Sequence, residues 1–310
     1  MSSQAGARPW SGGTEWERAG WQRTAARIAG ILLGIIFLVS GGWKVLQPFQ
    51  TGELLEQAQV PAGWGTLGAS VLGTLELLAA ILLFWPRYRR LGGLLGSALL
   101  VFFIGWIAFY YQKLVGHECS CFPIIKRSVS PAFFVSDALM LGLGLIAYAW
   151  SAKVRSLRVP ALSLALLAGV AATSYTVHAH ARSHVQVPIP IVVDGKPEDL
   201  SHGKVFLYFY DPMCSHCTAA ARFMSKMDWR GTRLVGIPTT SPQFAKDFLE
   251  DTHLKAATSL EAARLRQSFH FVDPPYGVAL VDGQVKATFG QARFNEPQPE
   301  PELRKLGFIH

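Results

Sequence analysis

Cysteine is scarce in this chain: Cys119, Cys121, Cys214 and Cys217 are all it has in 310 residues. They fall into one C-x-C and one C-x-x-C with none left over, which excludes a scattered disulfide framework and points to redox or metal chemistry. Acidic residues are also few, 21 against 29 Lys and Arg, and charge of either sign makes up only 16% of the chain. A formal net charge of +8 would suit a nucleic-acid partner. No basic stripe or stacking platform accompanies it, so nucleic acid is not expected. The cations cluster instead beside apolar runs, the pattern by which membrane proteins fix their orientation. No small-residue cleavage pattern closes the first apolar run, so a removed signal peptide is not expected either.

Half of the residues are hydrophobic, and they are concentrated before residue 178. A hydrocarbon core about 30 Å thick takes about 20 apolar residues of helix to cross. Five stretches qualify: residues 25–46, 66–85, 91–111, 130–150 and 159–177. Trp43, Trp64, Trp85, Tyr110, Tyr111 and Trp150 sit where interfacial aromatics belong. Arg8, Arg18, Arg23 and Arg27 precede the first span. Arg87, Arg89 and Arg90 follow the second, and Lys153, Arg155 and Arg158 follow the fourth. The loop at 47–65 has no Lys or Arg, and the loop with Lys113, Lys126 and Arg127 is lightly loaded for its length. The positive-inside rule then puts a cytoplasmic tail at residues 1–24. An odd number of spans puts the C-terminal domain outside. The loop with Cys119 and Cys121 falls on that same extracytoplasmic side, where disulfides persist. Within the spans, Glu76 is costly unless paired or neutral, and Lys44 could snorkel or reach toward it. A structural ion pair and a proton or quinone site are both open for these two. Asp137 in the fourth span either faces the C-x-C loop or caps the bundle.

The soluble half opens after a His- and Pro-containing stretch at 178–203, read as a linker. Val205-Phe206-Leu207-Tyr208-Phe209-Tyr210 has the apolar, aromatic run of a buried strand. Asp211-Pro212-Met213 breaks it, Cys214-Ser215-His216-Cys217 follows, and residues 218–227 have a helical pattern. A cysteine at a helix N-terminus meets unpaired backbone N–H groups and the positive end of the dipole. Both favour thiolate, so Cys214 is the expected nucleophile. Cys217, one turn on, is the expected resolving thiol, and His216 adds positive charge between them. A second strand is expected at 232–237, helices at 241–249 (opened by Ser241 and Pro242), 260–269 and 300–306, and a turn at Asp282-Gly283.

Two family resemblances follow from these residues. Ser40-Gly41-Gly42-Trp43-Lys44-Val45-Leu46, Gly73-Thr74-Leu75-Glu76-Leu77-Leu78, Cys119-Ser120-Cys121-Phe122 and Ser136-Asp137-Ala138-Leu139 resemble the DoxX/MauE family of four-helix membrane proteins. Pro123 stands where MauE-like sequences tend to have Gly. The resemblance implies a vitamin-K-epoxide-reductase-like bundle over 25–150 with a thiol pair at its outer face, and a role in extracytoplasmic redox maturation. Residues 151–177 would be a separate fifth span. Strand, C-x-x-C, helix and the Pro274-Pro275-Tyr276 strand ending at Gly283 together resemble the thioredoxin-like family over 204–310. Met213 replaces that family's frequent Trp. The eight-residue step from Pro275 to Gly283 matches the family spacing and assigns its cis-proline to Pro275, which implies that this backbone faces the C-x-x-C and docks the partner strand.

The expected architecture is therefore an all-α transmembrane helix bundle of five spans plus an α/β thioredoxin-like domain. The expected function is thiol–disulfide exchange between extracytoplasmic protein thiols and the two cysteine pairs, with quinone as the membrane carrier and Glu76, Lys44 and Asp137 as candidate residues for it. The flow is oxidative if the bundle drains electrons and reductive if it supplies them, and the absence of a cysteine pair on the cytoplasmic side tilts the reading toward oxidation. The alternative is an assembly or metal-delivery factor. His117-x-Cys119-x-Cys121 has donors that suit Cu(I). A zinc site needs two more ligands than a C-x-x-C supplies, and no resident metal is expected. His178, His180 and His184 read as a solvated stretch beside the membrane.

Overall fold

The computed structural model describes residues 20–115, 129–153, 156–183, 190–294 and 299–310. Cys119, Cys121, His117 and His184 lie outside the described residues. The membrane half is built from α1 (Gly20–Leu46), α2 (Pro48–Gln57), α3 (Gly65–Phe84), α4 (Arg89–Phe109), the single turn α5 (Tyr111–Leu114), α6 (Pro131–Ala149) and α7 (Arg158–Ser183). Among the described residues, α1, α3, α4, α6 and α7 are long and apolar enough to cross a membrane, so the chain is a multi-pass membrane protein. Proline sets several boundaries. Pro48 and Pro131 start α2 and α6 at positions where a missing N–H costs nothing. Pro86 follows the end of α3 closely.

Leu33, Phe37, Ala79, Ala80, Leu83, Leu100 and Ala147 form the bundle core. Leu32, Phe102, Leu139 and Leu166 point outward and stay exposed, as a lipid-facing surface requires. Small residues let the helices approach, as is common between membrane helices. A Cβ on Gly41 of α1 would lie 2.8 Å from the Gly73 carbonyl oxygen of α3, and one on Gly73 would lie 2.8 Å from Lys44 Cβ. Neighbouring Gly42 meets nothing within 4 Å. Gly41→Ala is therefore expected to cost about 1–3 kcal/mol by overpacking. Gly42→Ala is expected to be neutral or stabilising by up to about 1 kcal/mol through helix propensity. Thermal unfolding in detergent checks both.

The sequence gives no sign of α2. The loop at 47–65 reads as a cation-free connection, yet Gly52 and Gly65 pack its helix so tightly on the start of α3 that a Cβ on either would collide with backbone. Trp106 Nε1 donates to the Ala58 carbonyl at 2.9 Å, fixing the end of α2 against α4. Ser174 Oγ donates to the Val45 carbonyl at 2.6 Å, and Phe49 stacks on Tyr175 with centroids 5.5 Å apart. The last turns of α7 are thereby tied to the α1–α2 elbow.

The soluble half has a hairpin of β1 (Ile191–Val193) and β2 (Lys196–Glu198), then β3 (Lys204–Tyr210), α8 (Ser215–Met224), β4 (Thr232–Pro238), α9 (Ala245–Thr252), β5 (Ala257–Thr258), α10 (Ala262–Ser268), β6 (Tyr276–Val281), β7 (Gln284–Phe289) and α11 (Pro299–Lys305). The main sheet has the order β5-β4-β3-β6-β7. β3 runs parallel to β4 and antiparallel to β6, and β6 and β7 form a hairpin. Asp282 (φ 50°) and Gly283 (φ 73°) make its turn, the positive-φ pair that a tight hairpin requires. β3 is central and buried on both faces, which explains its unbroken apolar run. One face packs α8, α9 and α11 around Phe206, Tyr208 and Met224. The other packs α10 and the β1–β2 hairpin around Leu207, Phe209 and Val278. This is the thioredoxin-like arrangement.

The boundaries read for a linker at 178–203 are corrected. Residues up to Ser183 continue α7, and Ile191, Val193 and Leu200 are buried in the domain core. The strands of the β1–β2 hairpin are three residues each, too short for period-two alternation to register. The expected helix at 241–249 begins instead with a 3-10 turn, Pro242–Phe244, and becomes α-helical only at Ala245. Ser241 has φ 46° and makes no side-chain cap.

Candidate active site

β3 delivers the chain to Tyr210, and Asp211-Pro212 turns it. Asp211 Oδ1 accepts the Met213 N–H at 2.9 Å, and the Asp211 carbonyl accepts the Cys214 N–H at 3.0 Å. This local turn fixes the extended backbone of Cys214 (φ −91°, ψ 123°) as the N-cap of α8. Cys214 Sγ accepts the Cys217 N–H at 3.4 Å, doing with sulfur what a Ser or Asp oxygen does at other caps.

Cys214 and Cys217 are both free thiols, the first half-buried and the second fully buried. The Cys214 thiol is lowered to about 6. The largest cause is the hydrogen bond from the Cys217 thiol. Burial opposes it, and the N–H groups of Cys217 and His216 and the charge of His216 add to it. Cys217 is pushed far up, because it is the donor in that bond and is buried. The Asp211 N–H, 3.3 Å from Cys217 Sγ, acts in the opposite direction. The environment thus separates one accessible thiolate from one protonated, protected thiol.

Tyr208 lies beneath the pair. Its hydroxyl donates to the Cys217 carbonyl at 2.8 Å, and burial raises its ionisation far above the usual phenol range. Tyr210 stacks on Tyr208 and on Phe248, but its buried hydroxyl has no hydrogen-bond partner among the described residues. Tyr208→Phe is expected to lose about 1 kcal/mol, and Tyr210→Phe to be neutral or to gain up to about 1 kcal/mol. Thermal unfolding of the two variants side by side checks the contrast. Sequence reasoning missed Tyr208, although alternation along β3 puts Phe206, Tyr208 and Tyr210 on the face that α8 covers.

The Pro274–Pro275 peptide is cis, and Pro275 opens β6. The pairing of Phe209 with Tyr276 places Pro275 at the register position beside Tyr210, at the same sheet end as Cys214. That end meets the membrane half. Glu53 of α2 accepts the Val272 N–H at 3.4 Å, and its Cγ is 3.5 Å from where a Cβ on Gly290 would stand. The 3-10 turn Gln291–Phe294 also packs on α2.

Within the bundle, Lys44 Nζ and Glu76 Oε2 are 2.9 Å apart, with Lys44 fully buried. Ser40 Oγ also bonds Lys44 Nζ. Lys44 and Glu76 are therefore brought together, and Asp137 is buried on α6. Val115 and Val129, which flank the segment containing Cys119 and Cys121, pair in an isolated bridge. No group of three or more metal-ligating side chains is found among the described residues.

No curated protein matches the chain. A secreted Mycobacterium tuberculosis disulfide oxidoreductase homologous to E. coli DsbE is 19% identical over 34% of this chain and 84% of its own, with a TM-score of 0.30. A cysteine-to-serine mutant of Xanthomonas campestris peroxiredoxin Q is 14% identical over 40% of this chain and 96% of its own, with a TM-score of 0.33. Residues 22–151, the bundle from the start of α1 past the end of α6, match the family described as methylamine utilisation protein MauE.

Proposed function

We propose that the chain is a membrane thiol–disulfide oxidoreductase that oxidises extracytoplasmic protein thiols through Cys214 and Cys217. The observation that carries this reading is the stabilised Cys214 thiolate at the N-cap of α8 beside buried Cys217. A stabilised thiolate favours the reduced pair and so makes its disulfide the stronger oxidant.

In the proposed cycle a substrate thiolate attacks Cys214 Sγ of the disulfide, and the electron pair of the S–S bond leaves on Cys217, which takes up a proton. A second substrate thiolate attacks the substrate sulfur of the mixed disulfide. Oxidised substrate departs and Cys214 leaves as thiolate. Cys214 then attacks a Cys119–Cys121 disulfide and Cys217 resolves, so that two electrons pass to the second pair. The contacts of α2 with Val272 and Gly290 support this transfer, because they turn the Cys214 end of the sheet toward the membrane half. A quinone would supply the two-electron, two-proton sink. Lys44 and Glu76 satisfy each other, which supports their reading as a structural pair.

The test uses the purified full-length chain with a reduced two-cysteine peptide and a soluble quinone analogue. Equal amounts of peptide disulfide and quinol are expected, with none from Cys214→Ala. Reduction of a peptide disulfide at the expense of quinol would reverse the proposed direction.

A further inference from the structure

Where the two halves meet, a cleft of about 750 Å³ opens between the α1–α2 elbow, the end of α7, and the α10 and β7 side of the thioredoxin-like domain. Three observations describe what would fill it. First, its polar lining is one-sided. His178, His270 and Lys286 line it together with Gln47, Gln50 and Gln267, and among the described residues no Asp or Glu does. His178 Nδ1 bonds the Ser174 carbonyl at 2.9 Å, so Nε2 is the nitrogen available to a ligand. Lys286 is exposed, and Gln284 is its hydrogen-bond partner.

Second, the cleft lies at the ends of two helices long and apolar enough to cross a membrane. Leu46 and Val177 are exposed apolar residues on α1 and α7, and the cleft lining starts one residue beyond each, at Gln47 and His178. A bilayer crossed by α1 and α7 would have its headgroups near this level. Third, the cleft size is within the ordinary range of ligand sites, about 300–1,000 Å³.

From these we infer that the cleft binds the phosphate headgroup of an anionic membrane phospholipid. The cation and neutral donors meet the phosphate oxygens while the acyl chains stay against α1 and α7. Because both halves of the protein line the cleft, the lipid favours the arrangement in which they are docked. Lipid binding here is independent of the thiol chemistry.

The test is native mass spectrometry of the full chain extracted from nanodiscs of phosphatidylcholine mixed with phosphatidylglycerol. Wild type is expected to retain phosphatidylglycerol over phosphatidylcholine. Lys286→Glu is expected to lower phosphatidylglycerol retention by about fivefold or more, with phosphatidylcholine unchanged. Gln50→Glu, which puts a carboxylate on the membrane side of the cleft, is expected to do the same if Lys286→Glu does not fold. Unchanged Cys214 alkylation shows that a variant is folded. Equal retention of the two lipids by wild type, or unchanged retention in the folded variants, overturns the inference. So does displacement of the lipid by inorganic phosphate alone, which would make the cleft a site for free anions.

Discussion

Alkylation of the dithiol protein is expected to modify Cys214 with a midpoint near pH 6 and to spare Cys217 across the neutral range. The thiolate is the reactive form, so the rate falls as pH drops through the Cys214 value of about 6 and levels off above it. At pH 7 such a group is roughly nine-tenths thiolate, against a few per cent for an ordinary thiol near 8.5. Part of the gain is offset because nucleophilicity falls with pKa. Cys217 is buried and protonated, so its modification requires opening of the domain. Cys217→Ala removes the thiol that donates to Cys214 and is expected to move the midpoint upward, leaving the α8 N–H groups and His216 to stabilise the thiolate. Mass spectrometry after a pulse of iodoacetamide at stepped pH values gives the profile. A midpoint above 8 in the wild type would remove the basis for Cys214 as the attacking or accepting sulfur.

The buried Lys44–Glu76 pair gives the second large effect. Lys44→Met and Glu76→Leu are each expected to destabilise the bundle by about 3–5 kcal/mol, because each strands one charge in the interior. The double variant is expected to recover most of that loss, since apolar side chains of similar volume replace a pair whose desolvation was costly. Unfolding of the three variants in detergent measures this. Singles close to wild type would contradict the ion-pair account. A double variant that is stable and alkylates normally at Cys214 but no longer passes electrons to quinone would move the pair into the acceptor site.

The sequence made the long-range plan visible because its signals are strong and local. Runs of about 20 apolar residues can do little but cross a membrane, and the five helices fall within a few residues of their expected bounds. The aromatic run at 205–210, the C-x-x-C behind it and the Asp282-Gly283 turn each specify geometry over a few residues, and β3, α8 and the β6–β7 hairpin follow. What escaped notice depends on contacts between distant segments. α2 is held by Gly52 and Gly65 against α3, and the β1–β2 hairpin by burial of Ile191 and Val193. Glu53 meets Val272 across 219 positions of chain. Lys44 and Glu76 were legible as a candidate pair because two opposite charges in adjacent spans have few other partners. At the site, Cys214 and Cys217 could be read from motif and helix end. Tyr208 could not, since its value lies in a hydrogen bond to the backbone of Cys217.

The most direct test is a trap for transfer between the two cysteine pairs. Cys217→Ala and Cys121→Ala are combined and a protease site is placed within residues 184–189. The chain is treated with diamide, which takes up the two electrons released when Cys214 and Cys119 join, then cleaved and run on a non-reducing gel. The account predicts that the halves stay joined through Cys214 and Cys119 and separate on addition of reductant. Separation without reductant, while Cys214 still reacts with added disulfides, would contradict a single electron path and leave the domain a tethered thiol enzyme.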